Sequence, residues 1–127
     1  MTKPRFTMVV LLVADLARSV AFYRRLGVEF PPDAETRTDV QVPIGDEHQL
    51  VITTTFVRAI PGYEPPRGGS GIVIEFFVDG DAAVDAKYAE LVEAGYAGRR
   101  APFRTSFDAY MAMVDDPDGN VVLVTAG

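Results

Sequence analysis

The sequence predicts an α+β fold built from two copies of a β-α-β-β-β module. Three observations carry that prediction. A strand-then-helix pattern occurs once near the start and again past the middle. Period-two segments follow each helix. A proline- and glycine-rich stretch without periodicity separates the halves.

The first module opens with Phe6 to Val13, an unbroken apolar run suited to a strand covered on both faces. A helix follows, with Asp15 as N-cap and Gly27 as C-terminal cap. Leu16, Val20, Tyr23 and Leu26, flanked by Ser19 and Phe22, fall on one helical face. Further strands are expected at Thr38 to Ile44 and Gln49 to Phe56, joined across Gly45-Asp46, with a short one near Gly27 to Phe30. The linker is Ile60 to Gly71.

The second module repeats the order: a strand at Ile72 to Val78, then a helix that starts at an aspartate and stops at Gly95. A single register shift lays Val13, Ala21, Tyr23 and Leu26 on Val78, Ala86, Tyr88 and Leu91. Strands at Ala97 to Phe103, Tyr110 to Val114 and Val121 to Thr125 complete it. Asp116-Pro117-Asp118-Gly119-Asn120 between the last two is a tight hairpin: proline fixes φ and Asp-Gly tolerates left-handed backbone.

At 127 residues the chain is one domain, with module one at 1–59, linker at 60–71 and module two at 72–127. Its composition, 48% hydrophobic and 24% charged, is that of an ordinary globular protein. No run is long enough to span a bilayer and no signal peptide is read, so a cytoplasmic protein without membrane partners is expected. Zero cysteines exclude disulfides, thiolate zinc sites and cysteine nucleophiles. A net charge of -6, with no basic stripe, argues against nucleic acid as a partner. Arg24-Arg25 and Arg99-Arg100 are read as serving helix C-terminal dipoles and solubility.

The only histidine, His48, sits with Asp46 and Glu47 beside a turn, and three consecutive residues on a strand cannot all face one ion. A solvated hairpin is the reading. No Ser-His-Asp relay is arguable, and Gly68-Gly69-Ser70-Gly71 lacks the lysine and helix start of a phosphate loop.

The closing hairpin, the Val13 to Tyr23 opening with its Asp15-Leu16, Ser19, Phe22-Tyr23 and Leu26-Gly27, and Phe76-Phe77-Val78-Asp79 together resemble the vicinal-oxygen-chelate superfamily. That superfamily holds glyoxalase I, extradiol dioxygenases and bleomycin-resistance proteins. The resemblance implies two curved mixed sheets around a cup, paired in a homodimer. It also implies metal ligands at four positions, which carry over to Met8, Leu50 or Ile52, Val73 and Leu123. None is histidine, glutamate or aspartate, and a thioether is a soft ligand ill suited to the divalent ions such enzymes use. We therefore expect no metal and no cofactor.

Strand alternation sorts Ile72, Ile74, Phe76 and Val78 onto one face and Val73, Glu75 and Phe77 onto the other; because Val73 matches a ligand position, the resemblance implies that the second face lines the cup and the first faces the helix. Met8, Val10 and Leu12, and Val121, Leu123 and Thr125, follow to the cup. Glu75 is the candidate catalytic residue, an acid-base; its other readings are a cation-binding group, a partner of an arginine such as Arg104, or a group reaching solvent at the rim. Phe103, Phe107 and Tyr110 supply stacking surfaces, Arg104 or Asp108 supplies polarity, and Phe56 and Tyr63 close the other side. The bland reading of these aromatics is core packing and dimer contact.

With Met8, Val73 and Leu123 these residues describe a metal-free protein of the bleomycin-resistance branch that holds a small organic molecule, cationic or aromatic. The alternatives are a metal-independent isomerase or lyase using Glu75, a metal-dependent glyoxalase or dioxygenase, and a non-catalytic dimeric regulator. Fold alone does not choose between them.

Overall fold

The computed structural model describes residues 3–65 and 71–126. The chain divides into two compact units, Met1–Pro65 and Pro66–Gly127. Each is an α+β unit with one mixed sheet and one long helix, as the sequence predicts. The central part of the expected linker, with most of the Gly68-Gly69-Ser70-Gly71 run, lies outside the described residues.

In the first unit, β1 (Met8–Leu12) leads into α1 (Leu16–Arg25), then β2 (Asp39–Ile44) and β3 (His48–Thr53). The sheet order is β1-β3-β2. β1 runs parallel to β3, with Met8 opposite Gln49, and β2 runs antiparallel, with Ile44 opposite His48. Leu11, Val40, Val42, Leu50 and Ile52 share one buried face, and α1 buries Leu16, Ser19, Val20, Phe22 and Tyr23. The helix begins where Asp15, in extended conformation, accepts the Arg18 amide N–H at 3.2 Å. It ends in a Schellman motif: Val28 N donates to the Tyr23 carbonyl at 3.1 Å and Gly27 N to the Arg24 carbonyl at 3.0 Å, with Gly27 at φ 87.

One expected element is missing. The segment near Gly27 to Phe30 is a turn and extended chain, not a strand, and a short 3-10 helix at Ala34–Thr36 follows it. Pro31 and Pro32, directly after it, lack the N–H donors with which a ladder could continue. Arg24 holds this segment instead: it donates to the Pro31 carbonyl at 2.9 Å, pairs with Glu35 at 3.1 Å and lies over the Phe30 ring. β3 also stops earlier than expected. The Thr53 hydroxyl accepts the N–H groups of Thr55 and Phe56, which turns the chain into a 3-10 helix at Val57–Ala59.

In the second unit, β4 (Val73–Phe77), α2 (Asp81–Glu93), β5 (Gly98–Arg104), β6 (Tyr110–Asp115) and β7 (Val121–Thr125) form a sheet of order β4-β7-β6-β5. β4 is parallel to β7 and the other pairs are antiparallel. Ala112, Val114, Val122 and Val124 are fully buried, together with Val84 and Leu91 of α2. α2 ends in the same Schellman pattern, with Gly95 N donating to Val92 O and Tyr96 N to Leu91 O. Its N-cap is Gly80 at φ 98, which makes no side-chain cap. α2 has 13 residues against 10 in α1, so Leu91 takes the place at its C-terminal cap that Tyr23 has in α1.

The closing hairpin is a three-residue loop, not the two-residue turn its Asp-Gly pair suggests. Asp116 and Asn120 pair through the backbone at 2.9 Å, and Gly119 adopts φ 85. Asp116 is 4% exposed and organises the turn: Oδ1 accepts the amides of Asp118 and Asn120, and Oδ2 accepts the Asn120 side chain. The end strands β2 and β5 each contain a proline, Pro43 and Pro102. An end strand tolerates proline because only one of its sides needs a ladder.

Candidate functional site

The second sheet has a covered face and an open one. In β4 the alternation is as expected: Ile74 and Phe76 are partly covered, while Val73, Glu75 and Phe77 are exposed. The ladder continues that face across the sheet, open along β4 and closed over where Thr125 and Met111 are buried. Val73 lies opposite Val121, Glu75 opposite Leu123 and Phe77 opposite Thr125. Beyond β7 come Asp115, Met113 and Met111 of β6. Beyond these, Arg100 lies opposite Met113 and Phe103 opposite Met111.

Reaching that last column requires β5 to break its alternation twice, between Gly98 and Arg100 and again between Arg100 and Phe103. Each irregularity re-aims a side chain. As a result the Arg100 guanidinium lies 4.0 Å from the centroid of the Phe103 ring. Arg99-Arg100 lie in the strand expected over Ala97 to Phe103, and their side chains meet Asp115 and Phe103 in place of the helix end expected for them. Arg99 pairs with Asp115 at 2.5 and 3.1 Å, and this partner raises its already high pKa. Arg100 is a residue the sequence reading passed over, because regular alternation would put it and Phe103 on opposite faces.

Two expected site residues sit on the other side. Tyr110 begins the strand whose Ala112 and Val114 are buried with α2, and Arg104 pairs opposite Tyr110. Arg104 forms an ion pair with Asp81, donates to the Asp108 carbonyl at 3.3 Å and lies over the Tyr110 ring. Tyr110 donates to Asp85 at 2.6 Å, and that hydrogen bond raises the phenol pKa above its ordinary value. Arg104 is therefore not the partner of Glu75. Among the described residues nothing hydrogen-bonds to Glu75 or pairs with it, and its neighbours Val73, Phe77 and Leu123 are apolar.

Phe107 stands at the tip of the β5–β6 loop, 72% exposed, where Asp108 at φ 67 turns the chain. In the first unit, Met8 lies on the open face of its own sheet with Val10 and Leu12. Phe56 and Tyr63 follow β3 and are exposed. The second unit thus brings Val73, Glu75, Phe103 and Leu123 onto one face, and leaves Arg104 and Tyr110 off it.

The register also revises the candidate metal positions. Leu50 and Ile52 lie opposite Val9 and Leu11 and are buried, so they face away from the side that carries Met8. Gln49 and Val51 are the β3 residues on Met8's face. The turn Gly45 to Glu47 fixes this pairing, and a one-residue difference in register exchanges every face. The revised set of Met8, Gln49 or Val51, Val73 and Leu123 contains neither carboxylate nor imidazole, so it does not fit a divalent catalytic metal. His48 lies at the β2–β3 turn, its ring 5.8 Å from that of Phe6. Among the described residues no three His, Asp or Glu side chains gather to hold an ion, and no helix is long and apolar enough to cross a membrane.

Residues 5–124 match the family model of the Glyoxalase/Bleomycin resistance protein/Dioxygenase superfamily. No curated protein matches the chain. A hypothetical protein from S. aureus has a similar structure at TM-score 0.79 and 22% identity, over 100% of this chain and 96% of that one. A glyoxalase-related enzyme from Fulvimarina pelagi is similar at TM-score 0.80 and 18% identity, over 97% and 88%. A glyoxalase/bleomycin resistance protein/dioxygenase family enzyme from Burkholderia phytofirmans PsJN is similar at TM-score 0.77 and 20% identity, over 94% and 96%. At such identities the likeness is one of fold.

Proposed function

Given that the chain belongs to the Glyoxalase/Bleomycin resistance protein/Dioxygenase superfamily, we propose that it binds a small organic molecule, cationic or aromatic, without a metal. The site is the open face of the second sheet. One observation carries this reading: the positions that would hold metal ligands carry neither carboxylate nor imidazole, and in β4 Val73 stands with Glu75 and Phe77 on an exposed face. Val73 and Phe77 are 48% and 66% exposed, which is costly surface for a protein to leave bare without a use for it. Phe103 adds a ring for stacking. Exposed Phe6, Ile72 and Phe107 support assembly as a homodimer.

The test is a thermal melt of chelator-treated protein with Mn²⁺, Ni²⁺, Zn²⁺ or Fe²⁺, and separately with proflavine, a flat cationic aromatic. A molecule that binds only the folded state stabilises it by about 2.7 kcal/mol at a hundredfold excess over Kd. The expected result is no shift with any ion and a saturable rise with proflavine. A saturable rise with an ion, at one per chain, overturns the metal-free reading. Sedimentation of the protein alone checks the dimer.

A second reading makes Glu75 the acid-base of an isomerase or lyase, supported by a carboxylate with no partner among the described residues. Glu75→Gln would then abolish turnover while leaving the melting temperature unchanged. The apolar neighbours of Glu75 offer no second proton-transfer group, which favours binding over catalysis.

A further inference from the structure

The open face of the second sheet carries three charged side chains in its ladder, and one of them is already neutralised. Asp115 pairs with Arg99. That leaves Glu75 and Arg100. They stand in the same cross-strand row, Glu75–Leu123–Met113–Arg100, at its two ends. Three strand spacings separate their backbones, roughly 14 Å. The two residues between them are apolar.

Each end is free to meet a ligand. Among the described residues no side chain pairs with Glu75 or forms an ion pair with Arg100, whose guanidinium lies over the Phe103 ring. Stacking on a ring holds a guanidinium by its plane and leaves the N–H groups at its edge for a carboxylate or phosphate. The stack also limits the rotamer freedom that binding would otherwise remove.

We infer that the ligand is amphoteric: a flat apolar body with a cationic group at one end, which Glu75 receives, and an anionic group at the other, which Arg100 receives. This rests on the open face being the binding site, as proposed above, and it goes further by giving the site a direction. A molecule with a cation alone would satisfy Glu75 and leave Arg100 facing apolar ligand surface. A molecule with an anion alone would do the reverse. Covering an unpaired charge is costly, so the site discriminates against both.

The experiment uses three two-ring probes in calorimetric titrations: 4′-(aminomethyl)biphenyl-4-carboxylate, its methyl ester, which keeps only the cation, and 4′-methylbiphenyl-4-carboxylate, which keeps only the anion. The doubly charged probe should bind roughly three- to tenfold more tightly than either of the others, the range of an ion pair at a partly covered edge. Glu75→Gln should erase its advantage over the anion-only probe, and Arg100→Gln its advantage over the cation-only probe. Exchanging both charges, Glu75→Arg with Arg100→Glu, should restore the preference that either change alone removes. Melting temperatures check that each variant is folded. Equal binding of the ester and the doubly charged probe, with no effect of Arg100→Gln, overturns the two-ended ligand. If no biphenyl binds but proflavine does, the amphoteric inference falls and the binding face stands. If neither binds, both fall.

Discussion

The first unit has a sheet of three strands and the second a sheet of four, and their helices are capped alike at one end only. Both helices finish on a glycine in the left-handed region with the same pair of backbone hydrogen bonds. At the other end, Asp15 caps α1 with its side chain, whereas Gly80 enters α2 at φ 98 without one. The hairpins differ more. Gly45 to Glu47 turns β2 into β3 through its backbone, while Asp116 places a buried carboxylate inside its turn. The shared features follow from topology. A helix that leaves one strand and returns the chain to the same sheet must stop sharply. Where the topology asks for less, the two units have gone separate ways.

That contrast can be tested first at the hairpins. Asp116→Ala removes three hydrogen bonds and leaves amide N–H groups in a part-buried turn, for a loss of about 3 kcal/mol. Asp46→Ala in the exposed first hairpin should stay within about 0.5 kcal/mol. Urea unfolding of the two variants measures both, and equal losses would mean that Asp116 is not what holds its turn.

The helix starts come next. Gly80→Asp supplies the type of cap found at Asp15, yet in a backbone conformation that side chains rarely adopt, and should cost about 2 kcal/mol. Asp15→Ala should cost about 1 kcal/mol. If Gly80→Asp stabilises the protein in the same urea titration, the two starts are interchangeable after all.

The smallest effect is alkaline. The Tyr110 phenol is raised in the folded state by its hydrogen bond to Asp85, so folding favours the protonated form. Its contribution is complete below about pH 10, the unfolded value, and is lost as pH rises through the higher folded value. Tyr110→Phe should therefore flatten the decline in unfolding free energy above about pH 10. An unchanged decline would reject the assignment to this pair.

Much of this was legible in the sequence where the signal is local. Asp15, Gly27 and Gly95 act on their own helices, so residue type suffices, and Asp116 to Asn120 marks its own turn though not that turn's length. Strand parity in β4 was equally readable, because Val73, Glu75 and Phe77 alternate without interruption. Counting by twos from buried Val114 would also have sent Tyr110 to the helix side. The misses are matters of register. The three-residue turn before His48 decides which β3 residues share a face with Met8. The two irregularities in β5 decide that Arg100 and Phe103 meet. Neither leaves a mark in composition or period. The strand expected near Gly27 to Phe30 is absent, and Pro31-Pro32 just after it bars a ladder from continuing there.

The prolines of the end strands have a consequence for life in a crowded solution. A sheet that ends in an uninterrupted row of backbone donors is a template on which another chain can zip itself strand by strand, and fibres grow from such edges. Pro43 in β2 and Pro102 in β5 each remove one rung from that template. On those two borders, a stray copy of the chain finds a ladder with a step missing, and the protein runs less risk of offering its rims to itself.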